Sequence, residues 1–147
     1  MRRNSPDYEK DFYAWTVEQA KLLRSGQLSE IDAWNVAEEI ESVGRRDRTE
    51  LVDRIERLMT ELLKWRCDPG ARCGNWQAAI LQERFEIDHI VRDYPSLREF
   101  AAEQLPEAYS EARQRVIEEL RLLQPDFPPD CPFGLDQVLS RSFLPEN

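Results

Sequence analysis

The chain has 147 residues, 41% hydrophobic and 33% charged, with five glycines and three cysteines. That suits one domain with one core and excludes collagen-like, disordered and disulfide-scaffold classes. The net charge of -9, from 20 basic and 29 acidic side chains, works against a duplex-binding protein, which needs a basic face to displace phosphate counterions.

The apolar stretches are a few residues long, so no membrane span is expected. Residues 1–6 read as an N-terminal extension. Met1-Arg2-Arg3 is followed by no apolar stretch, so a secretory signal is not expected, and a cytoplasmic location with reduced thiols is. In chain order, the first apolar cluster is Tyr8, Phe12, Tyr13 and Trp15. Thr16-Val17-Glu18-Gln19 reads as a helix start, and Ser25-Gly26 as its end. A second helix is expected over about 30–43, where Ala33, Val36, Ala37, Ile40 and Val43 share one arc and Gly44 acts as a stop. A third, about 46–65, carries Leu51, Ile55, Leu58, Leu62 and Trp65 in steps of four and three, and Asp68-Pro69-Gly70 breaks it. The fourth starts near Asn75 and ends before Pro95. Its main arc is Trp76, Ala79, Ile80, Ile87, Ile90, Val91 and Tyr94. The fifth begins at a capping box, Ser96 to Glu99, and continues to about Leu123 with a kink or break at Pro106. Residues 124–147 are proline-rich but keep Leu135, Val138, Leu139, Phe143 and Leu144 as apolar anchors. They predict a tail wrapped on the helices, with a short helix near Leu135–Leu139.

There is no strand signal. Helices three and four would each be roughly 30 Å long, and short turns make neighbours antiparallel. The expected fold is all-α: a single domain, 1–147, built as an irregular antiparallel bundle of about five helices with the C-terminal tail wrapped on it.

Several groups are candidates for chemistry. Glu83 lies in the apolar arc of helix four, between Ile80 and Ile87. A buried carboxylate must be paired or protonated, and Tyr109 on helix five, or an arginine, is the expected partner. Glu38, Glu39 and Glu41 form an acidic cluster, followed by Glu50-Leu-Val-Asp53. Helical nucleotide pyrophosphohydrolases hold magnesium with Glu-Glu-x-x-Glu and then Glu-x-x-Asp, because the ion demands an octahedron of oxygens. Here Ser42 stands at the third position. If the protein were an enzyme, Glu38, Glu41 and Glu83 would be the metal-binding candidates. The simpler reading is a solvated acidic face pairing with Arg45, Arg46 and Arg48. Glu86-Ile-Asp-His89 has the spacing of a di-iron motif, but His89 is the only histidine and a second copy is required. Cys67, Cys73, Cys131 and His89 lack zinc-site spacing. No phosphate loop or nucleophile elbow is present. No catalytic residue, cofactor or metal is therefore assigned. Nucleic-acid association through Arg45, Arg46, Arg48, Arg54 and Arg57 is disfavoured by the overall charge.

The four tryptophans read as core, with Trp65 and Trp76 stacking beside the Cys67–Cys73 turn. A second apolar patch on helix four, Ala78, Leu81 and Phe85, lies opposite the main arc. It is the best candidate for an interface, unless the tail covers it.

Five phrases occur in order: Tyr8-Glu-Lys-Asp-Phe-Tyr-Ala-Trp15, Ala37-Glu-Glu-Ile-Glu-Ser-Val-Gly44, Leu62-Leu-Lys-Trp65, Tyr94-Pro-Ser-Leu97 and Cys131-Pro-Phe133. Together they resemble the bacterial family called domain of unknown function 29, over about Tyr8 to Pro145. The resemblance implies an all-helical fold and supplies no activity, cofactor or catalytic residue. The expected role is a non-enzymatic interaction or accessory domain that binds a protein partner or a second copy of itself. The competing role is a magnesium-dependent nucleotide pyrophosphohydrolase.

Overall fold

The computed structural model describes residues 6–145. The extension expected at residues 1–6 therefore lies, apart from Pro6, outside the described residues. The fold is all-helical: α1 (Phe12–Arg24), α2 (Ala33–Cys67), α3 (Gly74–Asp93), α4 (Ser96–Leu120) and α5 (Leu135–Leu139). No strand occurs among the described residues. The chain divides into two compact units, Met1–Arg46 and Asp47–Asn147, with the division inside α2.

In the first unit, α1 starts four residues before the expected Thr16 cap. Asp11 is the N-cap, its carboxylate accepting from the Ala14 amide at 3.0 Å. The Thr16 hydroxyl instead donates to the Tyr13 carbonyl. Trp15, Gln19 and Leu22, spaced four and three, are the buried face of α1. Trp15 Nε1 donates to Asp32 at 3.1 Å, and Gln19 Oε1 accepts from the Asp32 amide at 2.8 Å. These bonds fasten α1 to the residue that precedes α2. Tyr8 packs edge-on against Trp15 and donates its hydroxyl to Glu39. The bond to Glu39 and that carboxylate's charge push the Tyr8 hydroxyl pKa up.

Gly44 does not end a helix, and this corrects the expectation of two separate helices. An interior glycine costs only about 1 kcal/mol relative to alanine. At about 100° per residue, Ile40 and Val43 fall in the same sector as Leu51, Ile55, Leu58, Leu62 and Trp65. The apolar stripe runs in phase across Gly44, so one long helix satisfies both halves.

The second unit holds most of the core. Leu51, Ile55, Leu58 and Leu62 from α2 meet Ile80, Ile87 and Val91 from α3 and Ala101, Leu105, Ala108, Tyr109, Ala112 and Val116 from α4. Each fully buried Leu or Ile contributes about 1.5–3 kcal/mol. The contacts set the directions. Trp65 meets Trp76 at 5.7 Å between ring centroids, so α3 returns along α2. Arg48 lies 4.3 Å over the Phe100 ring, and Lys64 pairs with Glu119 at 2.5 Å, so α4 runs the same way as α2.

Two expected helix starts differ in detail. No side-chain cap forms at Cys73, before α3, or at Pro95, before α4. Pro95, not Ser96, is the N-cap of α4, so the Ser96–Glu99 capping box is out of register with the helix start. Pro106 lies inside an unbroken α4. It sits on the exposed side, where water can reach the Ala102 carbonyl that loses its partner.

The tail packs on the second unit. Phe127, Leu135 and Val138 are buried, and Phe133, Leu139, Phe143 and Leu144 pack against the core. The Tyr109 hydroxyl donates to the Pro128 carbonyl at 2.7 Å.

Candidate functional site

The expected pair of Glu83 and Tyr109 does not form. Tyr109 is fully buried and spends its hydroxyl on the tail. Glu83 faces α2 instead. Its Oε2 lies 3.3 Å from Arg54 Nη1, and its Oε1 lies 3.7 Å from Arg57 Nη1. Arg54 Nε also reaches Glu50 Oε1 at 3.1 Å. For Arg54, burial works against the positive charge, but Glu50 and Glu83 outweigh it and raise its pKa. The result is a short chain of alternating charges, Glu50–Arg54–Glu83–Arg57. The two guanidinium groups compensate the Glu83 carboxylate by ion pairing.

The charged residue buried on α3 is Arg84, which is 3% exposed. Its Nε donates to the Val138 carbonyl at 2.8 Å and its Nη2 to the Phe143 carbonyl at 2.5 Å. Burial pushes its pKa down. Ile80, Arg84, Ile87 and Val91, spaced four, three and four, are the buried face of α3; that face is turned towards Arg84 from the arc that the apolar residues alone mark out, in which Glu83 is the more central. An arginine there supplies two directed donors to a tail that forms few regular backbone bonds.

The other acidic candidates are dispersed. Glu38 and Glu41 are exposed members of the first unit, and Glu41 pairs with Arg45 at 3.6 Å within α2. Among the described residues, no group of three or more His, Cys, Asp or Glu is placed to hold a metal ion. His89 is exposed, lies 3.3 Å from Asp93 and stacks on Phe85. Cys67, Cys73 and Cys131 are free thiols. Burial raises the pKa of Cys67 and Cys131, which keeps both protonated and weakly nucleophilic.

The arginines considered for nucleic acid are largely engaged: Arg45 with Glu41, Arg48 over Phe100, and Arg54 and Arg57 with Glu83. Among the described residues, no helix is long and apolar enough to cross a membrane.

The apolar surface is more distinctive than the polar groups. Ala78, Leu81 and Phe85 are all exposed on α3, Leu81 by 45% and Phe85 by 58%. The tail does not cover them; it runs along the Arg84 side. Trp34, expected in the core, also stands in solvent.

No curated protein and no solved structure matches this chain. A family model described as Domain of unknown function DUF29 matches residues 8–144. That span contains all five helices and the packed tail, and the chain belongs to the DUF29 family.

Proposed function

We propose that this chain is a non-enzymatic helical interaction domain that offers the Ala78–Leu81–Phe85 face of α3 to a protein partner. The observation that carries the reading is the exposure of Leu81 and Phe85 one turn apart on a helix whose other face buries Ile80, Ile87 and Val91. Large apolar side chains grouped on one surface mark binding sites more often than chance placement does. Aromatic residues such as Phe85 are enriched at protein interfaces relative to the rest of the surface. His89 stacked on Phe85 extends the face by one turn. The acidic side chains support the same reading, because Glu83 is already taken up by two guanidinium groups.

The test is reconstitution. A protein that co-purifies in stoichiometric amount is identified, purified and titrated against the wild-type domain, Leu81→Asp and Phe85→Asp. Both variants should keep the helical circular dichroism spectrum and lose at least tenfold in affinity, as central hot-spot residues do. Magnesium-dependent nucleotide hydrolysis by the purified domain, abolished by Glu83→Gln, would overturn the reading.

A further inference from the structure

The stripe along α2 changes character at the middle of the helix. From Leu51 to Trp65 it is buried. Before that, Ile40 is 67% exposed and Val43 60% exposed, with Ala33 and Ala37 also in solvent. Among its described residues, the first unit buries only two apolar side chains, Trp15 and Leu22. A unit of this length with so small a core needs a further source of burial. Only one flank of the stripe serves α1: Tyr8 reaches Glu39 and Trp15 reaches Asp32, just before α2, at about 80–100° from Ile40 on the same side.

The charges beside this stripe indicate what covers it. With Ile40 as reference, Glu39 and Arg46 fall on one flank, and Glu41 and Arg45 on the other. The acids lie towards the N-terminus and the bases towards the C-terminus. Two such helices side by side in parallel would set Glu39 against Glu41 and Arg45 against Arg46, which is repulsive on both flanks. In an antiparallel pair about a two-fold axis, each flank meets its own counterpart reversed. Glu41 then faces Arg45 of the second copy, a pair that occurs twice, while Glu39, which already accepts from Tyr8, keeps its charge towards Arg46 of the second copy. Ile40 and Val43 of one copy fall within a turn of Val43 and Ile40 of the other.

We propose that residues 33–46 of α2 are a self-association surface, occupied by the same segment of a second copy in antiparallel orientation. The surface is distinct from the α3 face, and neither depends on the other. The existing Glu41–Arg45 pair within the helix is solvent-exposed and worth little, so it does not oppose exchange for pairs across the interface.

Sedimentation equilibrium from about 1 to 200 μM at low and high salt tests this. The full chain should show a monomer–dimer equilibrium that weakens with salt. Ile40→Asp should remain helical and become monomeric. Glu41→Arg places like charges together on both symmetry-related contacts and should weaken the dimer by roughly tenfold. Glu41→Arg combined with Arg45→Glu should restore it, and a mixture of the two single variants should form a heterodimer. A monomer at every concentration overturns the proposal and assigns the stripe to a different protein. A dimer indifferent to Ile40→Asp, or one that the charge-reversed double variant does not restore, overturns it as well.

Discussion

Replacing Arg84 tests how the tail is held. Arg84→Ala removes two charge-assisted hydrogen bonds, to the carbonyls of Val138 and Phe143. Bonds of this kind contribute about 1.5–3 kcal/mol each, or roughly 3–6 kcal/mol together. Loss of the packed aliphatic stem adds about 1–2 kcal/mol. Against this, the native state no longer holds a guanidinium out of water, a relief of several kcal/mol for a group whose pKa is lowered by burial. The net cost is about 2–4 kcal/mol, which corresponds to a fall in Tm of roughly 5–15 °C for a chain of this size. Thermal melts and urea titrations read the stability. Arg141, exposed between the two carbonyl contacts, provides a local readout: trypsin should cut there faster in the variant before global unfolding. Arg84→Met keeps much of the stem and should fall between wild type and alanine. A Tm change under about 2 °C with unchanged cleavage at Arg141 would refute the clamp.

Gly44→Ala should raise stability by about 0.5–1 kcal/mol in chemical denaturation, because a Cβ there meets no neighbouring atom and the site is helix interior. Glu56 has a pKa raised by burial and by Asp53, Glu111 and Glu107, partly opposed by Arg115. The folded state thus holds this proton more tightly than the unfolded state, and stability falls as pH rises from the ordinary carboxylate value through the raised one. Glu56→Gln should therefore stabilise at pH 7 by less than about 1 kcal/mol, and the gain should vanish at a pH below the ordinary carboxylate range. Alkylation followed by mass spectrometry should modify exposed Cys73 well before Cys67 and Cys131, whose thiols are half-buried and shifted up.

Much of this fold is legible in the residues because it rests on periodicity. The spacing of apolar side chains locates α3 and α4 to within a few residues, and α5 falls on the expected Leu135–Leu139. The α3 patch could be read for the same reason: Ala78, Leu81 and Phe85 share a face whatever the neighbours are. Gly44 misled because local punctuation was weighed without the phase of the stripe on either side, which a penalty of about 1 kcal/mol cannot break. Glu83 lies in the middle of the arc that the apolar residues mark out, while Arg84 lies at its edge and is buried because the face that packs is turned towards it. Long arginines are usually assumed to reach solvent, and this one finds carbonyls 54 and 59 positions away. Partners at such separation depend on how the tail crosses α3, and periodicity carries no information about that. Glu83 found its partners in Arg54 and Arg57 on α2, not on α4, because the arc places it on the flank of α3 that faces α2.

Residue-resolved amide hydrogen exchange along α2 is the most direct measurement of a stripe closed in one half and open in the other. In dilute protein, amides from 51 to 65 should exchange with protection near the global stability, while those from 33 to 46 open orders of magnitude more often and gain protection as concentration rises. Equal protection of both halves at the lowest concentration would contradict it.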